Sequence, residues 1–229
     1  MIRVMSDKLV NVKGNGNFII TAPHTLYVKR LKDIHLPENN IRRIVELLEE
    51  KINKKYLTTI TWKVKKNTKE TTKLLDPNYY SVSKLNNSLW YQILKDIKLR
   101  KKNKNINRML LVDLHGMNSI KGYDIILGIK SIKKFIGTEK YRKILAILVE
   151  IFERLKLKYG LNIGYNVVFM GHINEKYYTL SQQGCSLGIP SIQIELSKRI
   201  RNSLVKNDKL MSDFAKILLN IYKLNYTEN

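Results

Sequence analysis

In RMLLVDLHG (residues 108–116) an apolar run meets an aspartate, a leucine and a histidine before a glycine ends it. The run reads as a buried strand, and in a strand residues i and i+2 point to the same face. Asp113 and His115 therefore share a face at the end of an apolar segment. A carboxylate and an imidazole are costly to bury unless they are paired or bound to something. A strand-end cap explains either residue alone; a metal or acid–base site explains both.

Working outward, strands and helices alternate. KLVNVKGNGNFIITAPH (8–24) reads as a strand, a Gly-Asn turn and a second strand ending at Pro23-His24. PENNIRRIVELLEEKINKKY (37–56) has helical spacing, with Ile41, Ile44, Val45, Leu47, Leu48 and Ile52 as its stripe and Glu38 in its first turn. YLTTITWKV (56–64) is a strand rich in β-branched residues, DPNYYS (76–81) a turn, and NSLWYQILKDIKLRKK (87–102) a helix. After 108–116 come a strand at YDIILGI (123–129) and a long helix ended by Gly160. A strand at GYNVVFM (164–170) then leads into an irregular stretch to Ile189, where Gly184 and Gly188 are expected to form a mobile cover. PSIQIEL (190–196) is a strand and DKLMSDFAKILLNIYKL (208–224) the last helix. This order predicts one α/β domain over residues 1–229, a mixed, mostly parallel central sheet with helices on both faces.

Composition narrows the classes. The apolar fraction, 44%, is that of an ordinary globular protein, and no apolar block is long enough to cross a membrane. The single cysteine, Cys185, excludes an internal disulfide and a cysteine-rich zinc site, and a reducing cytoplasm is the expected location. The net charge of +23 raises nucleic-acid binding as an alternative. The basic runs at 63–73 and 99–108 hold no aromatic residues for base stacking, and lysine far outnumbers arginine. No specific nucleic-acid partner is expected; the charge would still draw in small anionic substrates.

In open α/β sheets ligands bind at the carboxyl ends of the strands. His24 ends one predicted strand, Asp113 and His115 another, and Gln193 and Glu195 share a face of a third. Two histidines and a carboxylate can bind zinc and leave one position open. The third ligand lies in KDIHLPENN (32–40): either His35 and Glu38 as a local H-x-x-E, or Glu38 together with His24. Arg201 and His172 are candidates for stabilising an oxyanion.

Six segments in order resemble the N-formylglutamate amidohydrolases, zinc-dependent amide hydrolases related in fold to the zinc carboxypeptidases. They are TAPHT (21–25), Pro37-Glu38, DPNY (76–79), LVDLHGM (111–117), NVVFMG (166–171) and IPSIQIEL (189–196). The resemblance implies one zinc per chain held by His24, Glu38 and His115, with Glu195 as general base. It makes Asp113 a carboxylate that orients a ligand, and it places Asn78, Gln193 and Arg201 at the substrate. Two positions depart from the pattern. Thr25-Leu26 stands where members carry Ser-Gly, and Tyr79 where they carry an arginine suited to a substrate carboxylate. The implied substrate is a small anionic N-acyl amino acid. A peptide or polyglutamate is the alternative within the same chemistry.

Overall fold

The computed structural model describes residues 9–63, 74–101, 108–118, 122–171 and 174–225. In chain order its elements are β1 (Val10–Gly14), β2 (Phe18–Ala22), β3 (Val28–Arg30), β4 (Asp33–His35), α1 (Ile41–Lys51), β5 (Leu57–Trp62) and β6 (Tyr80–Ser81). A 3-10 turn (Val82–Asn87) precedes α2 (Leu89–Lys101), β7 (Leu110–Met117), β8 (Ile125–Gly128), α3 (Lys130–Phe135), α4 (Thr138–Tyr159) and β9 (Ile163–Tyr165). The chain continues through β10 (Tyr177–Tyr178), α5 (Leu180–Ser186), β11 (Ser191–Ser197), α6 (Lys198–Lys206) and α7 (Asp208–Leu224).

The central sheet has seven strands in the order β1-β5-β2-β7-β11-β8-β9. From β5 to β11 all pairings are parallel; β1 and β8 each join antiparallel. Side-chain alternation divides the core into two layers. Phe18, Ile20 and Ala22 of β2, with Leu110, Val112 and Leu114 of β7, pack against α1, α4, α6 and α7. Ile19 and Leu111 face the other way, towards Trp90, Ile93 and Leu94 of α2. The expected α/β sandwich of helices on both faces is the observed fold.

Several local expectations are corrected. The Gly-Asn turn between β1 and β2 does not leave them side by side, because β5 lies between them. The connecting Gly-Asn-Gly crosses the start of β5 so closely that a Cβ on Gly16 would overlap the Tyr56 carbonyl. Glu38 lies before α1 rather than in its first turn. Asn40, at φ 66°, is in the left-handed region and delays the helix to Ile41. The strand expected over 164–170 ends at Tyr165, where Asn166 (φ 54°) turns the chain. Gly184 forms no cover: it lies in α5, where a Cβ would strike Ser191 Oγ. Ahead of α5, Thr179 and Gln182 form a reciprocal capping box.

Candidate metal centre

β2, β7 and β11 are adjacent, and their carboxyl ends carry the polar residues. In register, Asp113 lies between Thr21 and Gln193, and His115 lies beside Glu195. All five sit on the sheet face that carries Leu111 and Ile19 further down, so one face changes from apolar to polar along its length. Just beyond β2, His24 accepts a backbone bond from Glu38 N at 2.8 Å on its carbonyl, which fixes the glutamate beside the strand ends.

The side chains then converge. His24 Nδ1 is 2.8 Å from Glu38 Oε1 and 3.1 Å from His115 Nδ1, and His115 Nδ1 is 3.5 Å from Glu38 Oε1. Donors held by a tetrahedral zinc at its usual bond lengths sit roughly 3.3 Å from one another, so this triangle has the size of such a donor set. The far nitrogen of each imidazole meets a buried carboxylate. His24 Nε2 lies 2.8 Å from Asp76 Oδ1, and His115 Nε2 lies 2.9 Å from Asp113 Oδ2, outside hydrogen-bond alignment. Asp113 is itself held by Thr21 Oγ1 at 2.7 Å, and Asp76 by Arg30 Nε at 2.6 Å. Carboxylates behind histidines set the tautomer and aim of metal ligands. Glu38 Oε2 accepts from Gly116 N, which leaves Oε1 to face the histidines.

His35 belongs to a second grouping. His24, His35 and Glu38 offer donors that all lie within 4.8 Å of one another. The His35 ring stacks on His24 at 3.9 Å, its Nε2 is 4.0 Å from Glu38 Oε1, and its Nδ1 lies 2.8 Å from the Leu36 carbonyl.

Charge follows this geometry. Burial disfavours a protonated His24, but Asp76 and Glu38 outweigh it and raise its pKa to about 9. His115 is raised well above the ordinary range, as Asp113 and Glu38 overcome the same burial. Burial, with His24 and Arg30 nearby, lowers His35 to about 4. Burial also pushes the Glu195 carboxyl up to about 7, with His115 pulling it down and Glu38 pushing it up. Gln193 Nε2 donates to Glu195 Oε1 at 2.6 Å.

Arg201, on α6, is buried beside this cluster. Its Nη1 donates to the carbonyls of Leu196 (3.1 Å) and Met117 (3.4 Å), and its Nε has no hydrogen-bond partner. No carboxylate forms an ion pair with it among the described residues. Its guanidinium lies over Gly116, where a Cβ would be 1.8 Å from Nη1. Asn78 Nδ2 is 3.2 Å from His115 Nε2, and its Oδ1 accepts from Leu180 N, so part of this residue's capacity holds α5.

A cavity of about 890 Å³ opens over the cluster and is lined by His24, Glu38, Asn78, His115, Gln193, Glu195 and Arg201. Asp113 lies behind it. His172 lies outside the described residues. Asp76 and Arg30 were missed from sequence. Asp76 stands two residues before Asn78 in the same DPNY segment, and that is its only signal; nothing local marks Arg30.

No protein-family model matches the chain, and no curated protein matches its sequence. Among solved structures, gene product Atu2144 from Agrobacterium tumefaciens is similar over 98% of this chain and 98% of its own, at 11% identity and a TM-score of 0.58. A bacteriophage poly-gamma-glutamate hydrolase aligns over 95% of this chain and 90% of its own, at 11% identity and a TM-score of 0.47. Uridine phosphorylase from Vibrio fischeri ES114 aligns over 93% of each chain, at 12% identity and a TM-score of 0.39. The likeness to Atu2144 is one of fold.

Proposed function

We propose that the protein is a zinc-dependent hydrolase that cleaves the amide bond of an N-acyl amino acid. The observation that carries this reading is the convergence of His24 Nδ1, His115 Nδ1 and Glu38 Oε1 within 2.8–3.5 Å, with a buried carboxylate behind each imidazole. The six-segment resemblance to N-formylglutamate amidohydrolases supports it. When bound at these donors, zinc supplies Lewis-acid polarisation of the scissile carbonyl and makes water more acidic.

The remaining roles belong to the chain. Glu195 takes a proton from the attacking water and delivers it to the leaving amine nitrogen; a carboxyl near pKa 7 is matched to both steps at neutral pH. Gln193 holds Glu195 in place through their 2.6 Å hydrogen bond. Arg201, a buried cation with no ion-paired carboxylate among the described residues, stabilises the oxyanion as it develops. Lys198 lines the same cavity and offers a charge to the substrate carboxylate. The substrate is accordingly a small anion, and neither nucleic acid nor membrane is a specific partner. Among the described residues no helix is long and apolar enough to cross a membrane.

The test is elemental analysis of protein purified without added metal, combined with turnover of N-acyl amino acids. About one zinc per chain is expected. His24→Ala and His115→Ala should each lose most of it, and His35→Ala should keep it. The opposite result, metal lost in His35→Ala and kept in His115→Ala, selects the His24, His35 and Glu38 grouping. Glu195→Gln should keep metal and fold while losing a factor of about 10² to 10⁴ in rate. A Glu195→Gln variant as fast as wild type would sink the assignment of the base.

A further inference from the structure

The cavity has two kinds of wall. Its floor is charged, with the donor cluster, Glu195, Lys198 and Arg201. Its two lips are apolar. Ile34 and Leu36, at and just beyond β4, form one; Val168, Phe169 and Met170, in the segment after β9, form the other. Ile34, Leu36 and Val168 are 51%, 65% and 52% exposed, and none of the three belongs to either core cluster.

Neither lip is a loose loop. The β3–β4 hairpin is tied down by Lys29 N to Leu74 O (2.7 Å) and Asp76 N to Lys29 O (2.9 Å). The 166–171 segment is pinned at both ends. Asn166 N donates to Leu127 O, the Asn166 side chain accepts from Ile129 N, and Lys130 N donates to Met170 O. Gly171 packs so tightly on Gly128 that a Cβ on Gly128 would lie 2.4 Å from Gly171 N. Well-anchored backbone thus presents large, exposed apolar side chains to a cavity that is also lined by charged groups. Exposed apolar surface bordering a charged pocket marks a binding surface.

We infer that the substrate is amphiphilic. Its carboxylate is held near Lys198, and an apolar group of several carbons, on one side of the scissile amide, lies against the apolar lips. This inference rests on the amide-hydrolase reading above and narrows its substrate class. The apolar group belongs either to the acyl half or to the amino-acid side chain, and two arms of one panel separate these sources. The first runs from N-formyl to N-octanoyl glutamate. The second runs from N-formylalanine through N-formylleucine to N-formylphenylalanine.

In one arm kcat/KM should rise about fourfold per buried methylene until the lips are covered. The Kd measured by calorimetry on Glu195→Gln, whose slowed turnover leaves the compounds intact during a titration, should fall along the same arm. The Ile34→Ser, Val168→Ser double variant should flatten that slope in both measurements. Leu157→Ser, an exposed position on α4 outside the cavity, should keep it. No gain along either arm overturns the inference, as does a gain that survives the double variant. A preference for tetraglutamate over every apolar member also overturns it. If nothing in the panel is hydrolysed but the calorimetric slope is present, the hydrolase reading fails and the binding surface stands.

Discussion

Asp76 and Asp113 are buried carboxylates whose partners are histidines, and this arrangement controls the charge of the whole cluster. In the metal-free protein the surrounding carboxylates favour the protonated form of each imidazole, raising His24 to about 9 and His115 above its ordinary range, while the 3.1 Å Nδ1–Nδ1 contact leaves room for a proton on only one of the two facing nitrogens. A raised histidine pKa stabilises the fold fully below the ordinary value of 6.5 and loses that contribution as pH climbs through about 9. The metal-free protein should therefore lose thermal stability between those two values. Zinc bound at the proposed donors would compete with these protons, so its affinity should grow over the same window, with protons released on binding at pH 7. Thermal melts with and without chelator across this range, and calorimetry in buffers of different ionisation enthalpy, check both. Identical pH profiles for loaded and metal-free protein would contradict the donor assignment. At the acid end the signs reverse. Glu38 and Asp76 are held well below the usual carboxylate range by His24, against the burial that raises them, so their contributions vanish as pH falls.

At the scale of elements, α6 and β7 meet at a glycine. Ser197 caps α6 by accepting from Ile200 N, and one turn later the helix lays Arg201 across Gly116. Gly116→Ala should displace the guanidinium. The expected result is a loss of about 10²-fold or more in kcat, the scale of removing one oxyanion donor, with metal content retained. Unchanged kcat in a folded, metal-loaded Gly116→Ala protein would remove Arg201 from the oxyanion role. The sequence showed β7 and β11 well, because apolar runs broken by Asp113, His115, Gln193 and Glu195 are unusual. It showed α4 and α7 through periodicity and the Gly160 cap. It did not show α6, whose buried apolar residues are only Ile200 and Leu204. It misplaced Glu38 and overextended β9 for one shared reason. Asn40 and Asn166 adopt the left-handed conformation that glycine usually signals, and asparagine signals it weakly. The convergence of Asp76 and Arg30 on the cluster is a product of tertiary folding, which local spacing does not encode.

For the whole molecule the +23 charge is the dominant long-range property. It draws anions toward the molecule, and salt screens it over a Debye length of about 8 Å at physiological ionic strength. For an anionic substrate, kcat/KM should fall several-fold between low and physiological salt while kcat stays level. Parallel loss of both would place the salt effect on the chemistry instead of on encounter. The same field predicts weak nucleic-acid association with a steep salt dependence and no sequence preference. A tight, sequence-selective complex at physiological salt would replace the enzyme reading.

The place of β11 in the sheet has a consequence for assembly. β7 and β8 are consecutive in the chain, yet β11 lies between them. Without residues 191–197 the strand order divides into two pieces, β1-β5-β2-β7 and β8-β9, which only β11 joins. The first piece already carries His24, Glu38 and His115. The strand that welds the pieces together also brings Glu195. In the chain the proposed donors for the ion all precede the proposed base, which joins them only through the strand that closes the sheet.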